Sequence, residues 1–307
     1  MRLILVRHGE SVDNVAGLYA GSRDSALTAH GVLQTQRLGA HIAAMPSAIG
    51  SSADTIVITH IFSSDLQRAF ATASAILNAQ KKRGGSEACA AMDVVKSVDL
   101  RERDFRSGEG VRFGAPAAGD IDGGRNAFAD AESRDEMRVR AERFIDTHLH
   151  PLLDAGAEGP LKVVDRRRAI VVVAHGLILN VALSSLLQYY APLELARLLP
   201  PSLAVGGSDA AQRRRLELRV PWSNTGYLVL SVTKRKAEET EDEKNGDTAR
   251  HADGIRLQVT KVNCVEHLDG LKKTRGGIGS ARFDPKQKTM DAFFGPSAKK
   301  RKRGDGA

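Results

Sequence analysis

The sequence predicts an α/β protein: a three-layer α/β/α sandwich around a mostly parallel sheet, followed by a disordered C-terminal tail. Three observations predict it. Short apolar or β-branched runs alternate with stretches of helical periodicity over residues 1–268. The most apolar run, Ala169–Ala174 (AIVVVA), is the strongest strand candidate, with His175-Gly176 at its carboxyl end. Apolar residues make up 42% of the chain and aromatic residues 5%, an ordinary composition for a mixed fold. At 307 residues the chain has enough apolar material for one large core with appendages.

Taken in order, Leu3–Val6 reads as a buried strand that runs into Arg7-His8-Gly9. From Thr28 to about Ala44, Val32, Leu38 and Ile42 recur at helical spacing behind Thr28 as N-cap. Thr55–Ile61 is strand-like, and Ser63-Ser64-Asp65 is expected to start a helix that reaches Leu77. Asp93–Val98 reads as a strand, residues 107–129 as a Gly- and Ala-rich loop, and Ser133–Leu149 as a charged amphipathic helix. A helix from about Leu177 to Tyr189 follows AIVVVA. Strands are then expected at Leu216–Val220, Tyr227–Val232 and Ile255–Asn263, the first two flanking Trp222-Ser-Asn-Thr-Gly. Strands separated by helices imply a sheet covered on both faces, whose ligands sit beyond the carboxyl ends of the strands. Arg7-His8, Ser63–Arg68 and His175 all fall at such ends, which points to one shared site.

Composition and charge exclude several classes. There is no run of 18 apolar residues, and MRLILVRHGE turns polar too soon for a signal peptide, so no membrane association is expected. Cys89 and Cys264 have neither metal-ligand spacing nor the numbers for a disulfide framework, which fits a reducing compartment. Residues 271–307 hold eleven Lys/Arg and three Asp/Glu, and so carry the whole net charge of +8. The body, residues 1–270, is neutral, with 34 charges of each sign, so no direct nucleic-acid binding is expected of the domain. Residues from about 234 to 253 (KRKAEETEDEKNGDTARHAD) are almost devoid of apolar side chains and read as a disordered insertion. Residues 271–307 lack core-forming periodicity and read as a flexible tail.

The chemistry rests on an ordered set of short motifs: Arg7-His8-Gly9-Glu10-Ser11 with Asn14; Leu27-Thr28-Ala29-His30-Gly31; Ser63-Ser64-Asp65-Leu66-Gln67-Arg68; Leu100-Arg101-Glu102-Arg103; and Val173-Ala174-His175-Gly176. Each alone is weak. Together and in this order they resemble the histidine phosphatase superfamily, the phosphoglycerate-mutase-like proteins, and most closely its fungal-type phosphatases. The resemblance implies a phosphohydrolase in which His8 is the nucleophile and forms a phosphohistidine. It makes His175 the second catalytic histidine, and Arg7, Asn14 and Arg68 the phosphate-binding residues. Glu102 would protonate the leaving oxygen and then activate water, with Glu10, Asp104 and Glu109 as neighbouring candidates. Such a site suits its reaction: phosphoryl transfer spreads negative charge over equatorial oxygens, which arginine forks can hold without a metal or another cofactor. The segment Val111–Gly124 lacks the arginine pair and the proline-rich stretch of the mutases, so a phosphatase is favoured over a mutase.

Two further motifs lie in the tail. Gln287-Lys288-Thr289-Met290-Asp291-Ala292-Phe293-Phe294 resembles the PIP-box, the peptide that docks on the sliding clamp PCNA. Met290, Phe293 and Phe294 stand at i, i+3 and i+4, so one helical turn presents them on one face, with Gln287 as the polar anchor. Lys299-Lys300-Arg301-Lys302-Arg303 reads as a nuclear localisation signal, which places the chain in the nucleus, with the cytosol as the second compartment. The expected protein is a metal-independent phosphohydrolase of unspecified phosphorylated substrate, tethered to the clamp by its tail. The alternatives are a catalytically weak clamp-binding scaffold and a mutase.

Overall fold

The computed structural model describes residues 1–47, 55–84, 91–114, 128–155, 167–191, 219–234, 255–274 and 277–286. Six strands form one sheet: β1 (Arg2–Arg7), β2 (Val57–Ser64), β3 (Val94–Ser97), β4 (Arg168–Ala174), β5 (Tyr227–Lys234) and β6 (Ile255–Cys264). Their order is β3-β2-β4-β1-β5-β6. The pairs β3/β2, β2/β4 and β4/β1 are parallel, and β5 is antiparallel to both its neighbours. Five strands therefore run one way, as a mostly parallel sheet requires.

Alternation along the central strands builds the three layers. Leu3, Leu5, Ile170 and Val172 face a cluster with Phe144 and Leu183 from helices α4 (Arg134–Phe144) and α6 (Gly176–Tyr190). Ile4, Val6, Val171 and Val173 face Leu38 and Ile76, from α2 (Ala29–Ala43) and α3 (Gln67–Lys82). Thr28 caps α2 by accepting from the Gly31 amide at 2.9 Å. Ser133 and Glu136 form a reciprocal capping box on α4, which passes through a π-helical turn, Ile145–Leu149, into α5 (His150–Ala155). Among the described residues no helix is long and apolar enough to cross a membrane.

Several boundaries differ from expectation. Ser63 and Ser64 end β2 instead of starting a helix, because they pair with Lys96 and Ser97 of β3. Asp65 gives its carboxylate to Arg101 (2.8 Å from Nε), so α3 starts at Gln67 without a side-chain cap. The expected strand at 216–220 is absent where it is described: Arg219 and Val220 are irregular, and the Val220 amide donates to Asn180 Oδ1 at 3.0 Å. Residues 216–218 lie outside the described segments, as do 235–254, most of the expected insertion.

The first part of the expected tail packs on the domain. Ala29 donates to the Ala281 carbonyl at 2.9 Å, Phe283 donates to that of Leu27 at 3.1 Å, and Lys273 pairs with Glu10 at 2.9 Å. Backbone pairing to an existing loop needs no apolar periodicity, which is why the sequence pattern gave no sign of it. The PIP-box-like segment 287–294 and the basic run 299–303 lie outside the described residues. A short helix that the periodicity did not suggest, α1 (Val12–Ala16), is closed by a Ser11/Asn14 capping box and by Gly17 at φ 66°.

Candidate active site

The register of the sheet builds the site. Arg7 pairs with Ala174, so the residues that leave β1 and β4, His8 and His175, stand side by side with ring centroids 4.9 Å apart. The His8 amide donates to the Ala174 carbonyl at 3.0 Å. The following turn leaves no room for a side chain: a Cβ on Gly9 would lie 2.7 Å from Thr35 Cγ2 and 2.9 Å from the Gly31 carbonyl oxygen.

His8 Nδ1 lies 2.7 Å from the Gly9 carbonyl oxygen. A carbonyl only accepts, so Nδ1 carries the proton and Nε2 keeps its lone pair. Burial, then the positive charges of Arg68 and Arg7, hold the ring well below the ordinary histidine pKa, which keeps it neutral. His175 is equally buried, and both its ring nitrogens lack a partner among the described residues. Its pKa is also well below the usual value, through burial and then the charge of Arg68. Unpartnered buried polar atoms are uncommon, and here two of them sit beside the neutral His8 ring.

The cations are arranged unequally. Arg7 donates through Nη1 to the Trp222 carbonyl at 2.5 Å, and its buried Nε has no partner among the described residues. Arg68 is 1% exposed and uses its terminal nitrogens on the carbonyls of Arg23 (2.6 Å), Ala20 (3.0 Å) and Gly21 (3.2 Å). It lends positive charge from behind the pocket, while Arg7 and Arg103 are among the residues that line it. Asn14 Oδ1 accepts from Ser11 N at 3.2 Å and from Asn224 Nδ2 at 3.0 Å, which leaves its NH₂ group as the available donor.

The four candidate acids separate cleanly. Glu102 lines the pocket, and its carboxylate accepts from the amides of Arg103 (2.9 Å), Leu177 (3.0 Å) and Ile178 (3.1 Å), at the start of α6. Glu109 instead binds the amides of Gly21, Ser22, Arg23 and Phe105, fixing the loop whose carbonyls hold Arg68. Glu10 is taken by Thr28 and Lys273, and Asp104 by the Arg106 amide. The cavity is about 450 Å³ and is lined by Arg7, His8, Asn14, Glu102 and His175. No group of three or more His, Cys, Asp or Glu with metal-binding geometry occurs among the described residues.

Sequence reasoning missed the supports of this site. Asn224 donates to the His8 carbonyl at 3.3 Å as well as to Asn14. Asn180 accepts from Trp222 Nε1 at 2.9 Å and from the Val220 amide, which fixes the loop whose carbonyl holds Arg7. The Trp222-Ser-Asn-Thr-Gly run was visible as a strand flank, but nothing in it signals where its amides point.

A buried neutral histidine pair, an inward arginine and a helix-anchored carboxylate at the carboxyl ends of parallel strands define a phosphoryl-handling α/β protein. Residues 3–204 match the model of the histidine phosphatase superfamily (branch 1), and the chain belongs to that superfamily. A relative from Schizosaccharomyces pombe, named as a probable phosphatase, is 29% identical over 291 residues, covering 94% of this chain and 78% of the relative. A protein from Erwinia tasmaniensis, named as a probable phosphoglycerate mutase, is 27% identical over 237 residues, 75% of this chain and 91% of its own length. The structure of mycobacterial glucosyl-3-phosphoglycerate phosphatase aligns with a TM-score of 0.51 at 20% identity, over 85% of this chain and 98% of that one, a likeness of fold. The superfamily and the fission-yeast relative support a phosphatase.

Proposed function

We propose that the protein is a metal-independent phosphomonoester hydrolase that works through a phosphohistidine on His8. The observation that carries this reading is the His8 tautomer: Nδ1–H is committed to Gly9 O, so the free lone pair is on Nε2, beside the unpartnered ring of His175. In the first step Nε2 attacks phosphorus and the P–O bond to the leaving alcohol breaks. Glu102 acts as the general acid that gives a proton to the departing oxygen. Arg7, His175 and the Asn14 amide hold the equatorial oxygens, and the Arg68 charge stabilises the transition state from behind the pocket. In the second step Glu102 takes a proton from water, the hydroxide oxygen bonds to phosphorus and the N–P bond breaks. This releases inorganic phosphate and returns His8 to its neutral form.

Hydrolysis of p-nitrophenyl phosphate in excess EDTA tests this reading. The wild-type chain turns over and takes up acid-labile label, whereas His8→Ala loses both, by roughly 10³-fold or more in rate. Turnover retained in His8→Ala, or lost in EDTA, counts against it.

The segment Gln287, Met290, Phe293, Phe294 is proposed to dock on the PCNA clamp, and Lys299–Arg303 to direct the chain to the nucleus; both rest on sequence pattern alone. Phe293→Ala with Phe294→Ala is expected to abolish clamp binding while p-nitrophenyl phosphate turnover stays the same. Unchanged clamp affinity would remove the tether.

A further inference from the structure

The pocket lining is chemically mixed. The phosphoryl-binding groups described above share it with a cluster of Tyr19, Phe105 and Phe113, and with Leu177, Val220 and Trp222. The centre of the cluster is Tyr19, whose ring meets Phe105 at 4.9 Å and Phe113 edge-on at 4.5 Å. Phe105, Val220 and Trp222 are buried, but Phe113 remains 57% exposed and Leu177 36%, large apolar surface left at the mouth of a charged pocket.

The polar groups beside this apolar lining are few among the described residues: the Tyr19 hydroxyl, Asn180 and Arg103. Asn180 is committed to Trp222 and Val220 at both ends of its amide. Arg103 spends Nε on the Glu132 carbonyl at 2.7 Å and lies over the Phe105 ring, 5.6 Å from its centroid. A sugar or polyol needs several hydroxyl partners, more than one phenol and the outer nitrogens of one guanidinium supply. An aromatic ring needs edge and face contacts with other rings, plus the flat face of a guanidinium.

We infer that the leaving group of the natural substrate carries an aromatic ring, which packs on the Tyr19–Phe105–Phe113 cluster beside Arg103 while its phosphate lies against His8 and His175. The inference rests on the reading of those two histidines as a phosphoryl site. The ring-bearing ester can be a small aryl or arylalkyl phosphate or a phosphotyrosine side chain, which share this chemistry.

The test uses the full chain and two pairs of probes. The esters 2-phenylethyl phosphate and propyl phosphate have leaving alcohols of similar acidity, so a rate difference between them reports the aromatic cluster and not the leaving group. The matching phosphonates, 2-phenylethyl and propyl, cannot be hydrolysed and report binding alone. The ring-bearing member of each pair is expected to be favoured by roughly 10-fold or more, in kcat/KM and in Kd respectively. Phe113→Ala, at an exposed position that tolerates truncation, should shrink both ratios several-fold. Ratios near one, ratios unmoved by Phe113→Ala, or a kcat/KM for 3-phosphoglycerate above that for the phenylethyl ester would each overturn the inference. Selective phosphonate binding without turnover of any ester upholds the aromatic cluster while removing the phosphohistidine mechanism, so the two failures are told apart. Free phosphotyrosine compared with the same residue inside a peptide then separates the two sources.

Discussion

Burial, then the positive charges of Arg68 and Arg7, keeps His8 neutral, and Asn224 fixes the backbone that carries its ring. One amide group donates both to the His8 carbonyl (3.3 Å) and to Asn14 Oδ1 (3.0 Å), tying the backbone of His8 to the orientation of the Asn14 amide. Asn224 is thus a positioning residue, supported by the Thr225 amide, which donates to the same carbonyl at 3.1 Å. Asn224→Ala is expected to lower kcat/KM by roughly 10²-fold while leaving the melting temperature nearly unchanged, since a misplacement of about 1 Å is enough for such a loss. A fall in both together would make Asn224 a structural residue only. Arg7 and His8 were legible from sequence because they sit in one contiguous motif. Asn224 was not, because it acts across 216 residues of chain through a side-chain amide that has no motif of its own.

At the scale of elements, the acid is held by two of them. Helix α6 offers the amides of Leu177 and Ile178 to Glu102, and α4 reaches the same turn through Arg140. Arg140 donates to the carbonyls of Asp99 (2.7 Å), Arg101 (2.6 Å) and Glu102 (3.1 Å), and pairs with Glu132 at 2.6 Å, with both side chains 13% exposed. Removing one partner of such a pair leaves a poorly solvated charge and three unmet carbonyls. Arg140→Met is therefore expected to cost about 3 kcal/mol or more in denaturant unfolding, and to slow turnover of esters with poor leaving groups most. A loss below about 1 kcal/mol would show that Glu102 is held by α6 alone. The helices themselves were readable: Thr28 and Ser133 cap where the spacing predicts. The misplaced start of α3 has a tertiary cause, since Ser63 and Ser64 were claimed by β3, and Asp65 by an arginine 36 residues away.

For the whole molecule, the buried histidines link stability to pH. Burial lowers the pKa of His8 and His175 well below 6.5, and burial, then the charge of His41, pushes His267 down to about 4. Below pH 6.5 the unfolded chain binds protons on these rings that the native chain does not, so stability falls as pH drops through 6.5 and is insensitive to these groups above it. The melting temperature should decline from about pH 6.5 to 5 and be flat between about 6.5 and 7.5. His8→Ala should flatten part of the decline, and a melting temperature that rises on acidification would contradict the burial argument. On the proposed mechanism the same neutrality is expected to extend activity to the acid side, where Nε2 keeps its lone pair.

The sequence by itself determined the alternation of strands and helices, the covered sheet, the two histidines at strand ends and the superfamily. These are local facts: periodicity and contiguous motifs depend on near neighbours in the chain. It also carries the tail motifs, which need no fold to be read. Only the tertiary structure decided which acid lines the pocket, that Arg7 lines it while Arg68 lends charge from behind, that residues 277–286 pack on the domain, and that an aromatic cluster lines the same pocket as the two histidines. Those depend on register between strands and on backbone amides and carbonyls brought together from distant parts of the chain. Side-chain identity alone does not encode where such groups meet.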